Sequence, residues 1–160
     1  MGEGTGEPKD SWKRKMLYAE HSPIRLLHYK WKWIDIPYCS SVHFVRHKQG
    51  IEHWVKTSRS DRTGIDRHTL PQDNPVNHTC EATAQAMINI SRKRLCTCAS
   101  KETRDAWKLV IEGLREIEPL LADVCVPECV YRGFCPEYKS CGWIDSIEGQ
   151  LRLAKYRNWI

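Results

Sequence analysis

Arg46-His47-Lys48 sets three basic or titratable side chains side by side, and a second arginine-rich run, Ser58-Arg59-Ser60-Asp61-Arg62, follows shortly after. Arginine offers a planar fork that grips phosphate at two points, and lysine a compact point charge. Histidine changes charge near neutral pH. Glu52 and His53, between the two runs, form a candidate acid/base pair. The cluster suits a polyanion, a nucleotide or a phosphorylated cofactor; the competing reading is a solvated basic turn. A second reactive set lies late in the chain. Cys125, Cys129, Cys135 and Cys141 are interleaved with Pro127, Gly133, Pro136 and Gly142. Turn residues between thiols let a short loop wrap a tetrahedral ion. Thiolates select zinc or an iron–sulfur cluster over hard cations, and unliganded buried thiols are the third reading. Four cysteine ligands would leave zinc no open position for water, so the expected role is structural.

Those side chains need a scaffold. The 160 residues suffice for one domain with a core. A net charge of +5 favours anionic partners without choosing among them. With no run of eighteen apolar residues and no signal-peptide pattern, the expectation is a cytoplasmic chain with reduced thiols and no membrane span. The chain divides into a disordered tail (1–15), a main domain (16–124), a cysteine-rich loop (125–143) and a terminal helix or tail (144–160).

Within the main domain, residues 26–36 alternate, with Leu27, Tyr29, Trp31 and Trp33 on one side and His28, Lys30 and Lys32 on the other, predicting a strand with an aromatic core face. Residues 51–59 read as a second strand. Residues 61–80, polar and rich in Pro, Asp and Asn, read as a loop. Residues 81–99 predict a helix ending in Arg92-Lys93-Arg94, a run that could equally complement the helix dipole. Trp107, Val110, Leu114, Ile117, Leu121 and Val124 predict a packing seam on one long helix, 102–124.

Arg46-His47-Lys48 followed by an acidic residue and Ser-Arg resembles the Arg-His-Arg…Ser motif of the flavin-dependent thymidylate synthases. Two further segments, in the family's order, are similar to it. One is Ala19-Glu20-His21-Ser22-Pro23-Ile24-Arg25. The other is Thr83-Ala84-Gln85…Asn89…Arg94, continuing into Cys98-Ala99-Ser100-Lys101-Glu102-Thr103-Arg104. The resemblance implies an α+β domain, with a small mixed or antiparallel sheet packed by long helices. It makes residues 38–47 a helix. It implies an enzyme that binds FAD and uses NADPH and methylenetetrahydrofolate to methylate dUMP, or to carry out a related C5 modification, in a homotetramer with shared sites. Arg46, His47, Lys48, Ser22, Asn89 and Gln85 would contact the flavin. Arg94 would bind and polarise the pyrimidine, with Ser58 and Arg59 as catalytic partners. His43, Glu52, Ser58, Arg59 and Arg94 would hold the substrate.

The chain departs from the family at Thr83, Gln85 and Cys98, which stand where it has Asn, Arg and His. It also lacks the helical stretch between the two main motifs and adds the cysteine cluster. This fits a divergent form, such as a phage-encoded one acting in the host cytoplasm. The alternative is a nucleotide- or nucleic-acid-binding module that kept the fold and a structural zinc but lost catalysis.

Overall fold

A computed structural model describes residues 6–158. Helix α1 (Asp10–Tyr18) and a 3-10 turn (Ser22–Leu26) lead into strand β1 (His28–Pro37), then α2 (Tyr38–Phe44), β2 (Ile51–Val55) and α3 (Ser60–Thr63). Strand β3 (Pro75–Thr83) runs into α4 (Ala84–Arg94), followed by α5 (Lys101–Ile117), α6 (Pro119–Val124), α7 (Glu128–Arg132) and α8 (Ile147–Arg157). The strands form one antiparallel sheet in the order β1-β3-β2, so the fold is α+β.

The central strand is the one hidden in the expected loop. Asn74, Pro75 and Asn77 gave that stretch its turn-like composition. Yet Val76, His78, Cys80 and Ala82 are buried in strict alternation, the mark of a strand with one face on the core. Pro75 occupies the first strand position, where its missing N–H is tolerated.

On β1, buried Trp33 stacks on Phe44 of α2 with ring centres 4.4 Å apart, and Trp31 meets Trp107 of α5 edge-on at 5.7 Å. The fully buried Trp107 donates its Nε1–H to Ser91 Oγ of α4 at 2.9 Å, and the Ser91 hydroxyl donates to the Met87 carbonyl at 2.7 Å. The Trp107 indole and the Ser91 hydroxyl are thereby satisfied, whereas the buried Trp31 Nε1 has no hydrogen-bond partner among the described residues.

Two expected elements differ. The seam helix is two helices, because Pro119 cannot continue α5 and disfavours helical geometry at Glu118. Ile117 is consequently 69 % exposed, and the buried face of α5 is Thr103, Trp107, Ile111 and Leu114. Helix α1 begins at Asp10, inside the expected tail, and continues past it to buried Leu17; residues 1–5 lie outside the described ones. No described helix is long and apolar enough to cross a membrane.

Candidate functional site

Strand register builds the tightest cluster. His78 and Cys80 are two apart on β3 and share its inner face, and His53 on β2 lies directly opposite Cys80. His53 Nδ1 sits 3.0 Å from His78 Nε2, and Cys80 Sγ lies 3.2 Å from each of those nitrogens. The three side chains form a group that could hold a metal ion. In a tetrahedral zinc site, bond lengths of about 2.0–2.3 Å imply ligand separations of roughly 3.3–3.6 Å. Outward shifts of a few tenths of an ångström would admit the ion.

The outer hydrogen bonds orient these ligands. His53 Nε2–H donates to the His47 carbonyl at 2.8 Å, which leaves the Nδ1 lone pair facing inward. His78 Nδ1 lies 3.0 Å from Ser41 Oγ of α2. Without metal the pattern closes with neutral rings: the Ser41 hydroxyl donates to His78 Nδ1, and His78 Nε2–H donates to His53 Nδ1. With metal, the hydroxyl rotates to accept from His78 Nδ1–H, freeing Nε2 to ligate. This is the outer-shell pattern that fixes ligating histidines. Burial, with His53 second, lowers the His78 pKa to about 4, and burial pushes the Cys80 thiol up to about 12. A bound cation would reverse that for Cys80 by stabilising the thiolate.

The same carbonyl links this cluster to the basic motif. Arg94, at the end of α4, donates Nε–H to His47 Nε2 at 2.8 Å and Nη2–H to the His43 carbonyl at 2.6 Å. Burial, then the charge of Arg94, lowers the His47 pKa to about 4, so His47 is a neutral acceptor rather than a cation. Arg46 and Lys48 are exposed beside it. The loop then closes on the start of α4. Gly50 has φ +68°, and its carbonyl accepts from Thr83 N–H at 2.8 Å. A Cβ there would stand 2.8 Å from Thr83 Oγ1, so this approach requires glycine. Thr83 in turn caps α4, its hydroxyl accepting from Ala86 N–H.

Beside this contact an open cavity of about 520 Å³ is lined by Glu20, Arg25, Gln49, Gly50, Thr83, Gln85, Ala86 and Asn89. Glu20 is already engaged, pairing with Arg92 and accepting from Gln85 Nε2 at 2.5 Å. Ser22 opens the 3-10 turn whose Arg25 reaches the cavity. Ser58 and Arg59 line a different cavity, about 460 Å³, with Lys56, Arg67 and His68, and Arg59 forms a two-point ion pair with Asp61. Glu52 lies on the exposed face of β2, opposite Glu81. The residues expected to act together therefore fall into two groups within one chain, one around Arg94 and one around Ser58 and Arg59.

Among the late cysteines, Cys129, Cys135 and Cys141 line one small cavity, which Cys96 completes. Cys125 stands apart, fully buried against Ser91. Sequence reasoning missed His78 and Cys80 as ligands because it read their strand as a loop; the period-two burial of Val76, His78, Cys80 and Ala82 was the available signal. No protein-family model matches this chain, and no curated protein matches it.

Proposed function

We propose that the chain is a flavin-dependent enzyme of the thymidylate synthase type, which binds FAD and dUMP and modifies the pyrimidine at C5 with NADPH as reductant and methylenetetrahydrofolate as carbon donor. One observation carries this reading. Of the segments singled out separately by resemblance, 19–25 and 83–94 line one cavity of about 520 Å³ together with Gln49 and Gly50, which directly follow Arg46-His47-Lys48, and Arg94 bonds His47 of that motif. The first turn of α4 also lines this cavity, and the helix dipole there favours a phosphate. Arg94, desolvated and held by two acceptors, is a fixed positive group of the kind that stabilises charge developing on a pyrimidine ring. Lys56, Ser58, Arg59 and Arg67 form the phosphate side of a substrate site completed by a second subunit of a homotetramer. Zinc is the metal assigned to His53, His78 and Cys80, because borderline N/S donors suit it. None of the described cavities is lined by those three residues, so zinc there ties β2 to β3 and steadies the 45–50 loop.

FAD binding tests the proposal. Full-length, zinc-loaded protein titrated with FAD should show saturable quenching of flavin fluorescence, tightened by dUMP and weakened at least tenfold by Arg25→Ala. Absence of FAD binding at ~50 µM, an affinity weaker than about −6 kcal/mol, would overturn it. Salt-sensitive binding of nucleotide or nucleic acid in its place would favour the non-catalytic module.

A further inference from the structure

Cys96, Cys129, Cys135 and Cys141 converge from the end of α4, from α7 and from the loops on either side of Pro136–Ser140. With Leu95, Pro127, Trp143 and Ile144 they enclose about 50 Å³. A single water occupies about 10–15 Å³ on that measure, so the space exceeds what one ion needs. The spacing agrees. Among the described residues no three of these thiols lie within 4.8 Å of one another, whereas His53, His78 and Cys80 do. Four thiolates around one zinc, with bonds of about 2.3 Å, would stand roughly 3.8 Å apart.

The sulfurs are also supplied with donors. Cys98 N–H points at Cys96 Sγ at 3.5 Å, and Thr97 Oγ1–H donates to Cys141 Sγ at 2.8 Å. The backbone N–H of Val130 serves Cys129 and that of Trp143 serves Cys141. Donors aimed at sulfur stabilise thiolate and tune the potential of a cluster they ligate.

We infer that Cys96, Cys129, Cys135 and Cys141 form a four-thiolate site for an iron–sulfur cluster. Ordinary sequence spacing hides it, because Cys96 is thirty-three positions before Cys129 (129 − 96) and Cys125 lies nearer in sequence but outside the site. The site is independent of the FAD and dUMP reading and clamps the chain two residues past Arg94, just beyond α4, to α7 and to the segment that precedes α8.

The test is anaerobic reconstitution of the full chain with ferrous iron and sulfide, alongside a zinc-only sample. The expected product has a broad visible absorption bleached by dithionite and about four iron and four acid-labile sulfide per chain, or about two of each for the smaller cluster. Cys96→Ser and Cys135→Ser should lose it, while Cys125→Ser and the exposed Cys98→Ser retain it. Circular dichroism checks folding, and Cys98→Ser serves as control if the buried Cys125→Ser does not fold. Uptake of two zinc ions with no sulfide would overturn the inference. So would a cluster built equally well by Cys96→Ser or abolished by Cys98→Ser in a folded chain.

Discussion

His53, His78 and Cys80 stand on paired strands, whereas Cys96, Cys129, Cys135 and Cys141 stand on a helix end, a short helix and a loop. The first set is drawn together by sheet register to 3.0–3.2 Å and is buried or half-buried. The second shares one small cavity but keeps its sulfurs wider apart. The contrast bears on what each set could hold. A ladder fixes side chains at spacings that fit one ion, and irregular backbone can open room for a larger inorganic core. It also separates two jobs: the strand cluster holds the 45–50 loop through the His47 carbonyl, and the thiol pocket holds the far end of α4.

The sharpest way to break the comparison is His78→Ala. It removes a fully buried ring, leaves Ser41 and His53 without that partner and should abolish the proposed metal binding. A loss of about 3–5 kcal/mol is expected, measurable by chemical denaturation. Removing zinc with a chelator should destabilise the wild type but leave a folded His78→Ala unchanged; equal effects on both would place the metal elsewhere. Ser41→Ala is the subtler probe. It keeps all three ligands and deletes only the group that orients His78, so metal affinity should fall about 10–100-fold, as read by competition with a chromophoric chelator.

How much of this the sequence disclosed follows the same division. The aromatic strand, the helix carrying Arg94 and the α+β class were legible because period-two and period-3.6 patterns are local. The central strand was not, because Asn74, Pro75 and Asn77 give it a turn-like composition, and its alternating residues include His78 and Cys80, whose polarity masks their burial. Cys96 was overlooked because membership in its pocket depends on how α4 meets α7, which spacing along the chain does not encode. Pro119 signalled the break in the expected long helix, but the regular apolar spacing around it concealed the stop.

Smaller effects sharpen the role of the connecting loop and the helices. Gly50→Ala adds a Cβ 2.8 Å from Thr83 Oγ1 at φ +68° and should cost about 1–2 kcal/mol. It should weaken FAD binding without changing metal content, a separation readable by fluorescence and elemental analysis. On the thiol-pocket side, α8 packs against α7 and buries Tyr156, whose pKa burial raises to about 12. The folded state therefore holds this proton after the unfolded chain has released it near pH 10. Its contribution is intact below pH ~10 and is lost as pH rises toward ~12. Tyr156→Phe should flatten the fall in denaturation midpoint across that window, an effect smaller than the others because Tyr29 titrates in the same range.

The central claim is that the surface shared by the 45–50 loop and α4 brings a flavin and a pyrimidine nucleotide together for substitution at C5. Tritium release from dUMP labelled at C5 tests it most directly, since any C5 substitution displaces that hydrogen whatever the carbon donor. Full-length protein with FAD, NADPH and methylenetetrahydrofolate should release tritium to water, and Arg94→Lys should slow release at least tenfold while leaving metal content unchanged. FAD binding with no tritium release above background under these conditions would contradict the account.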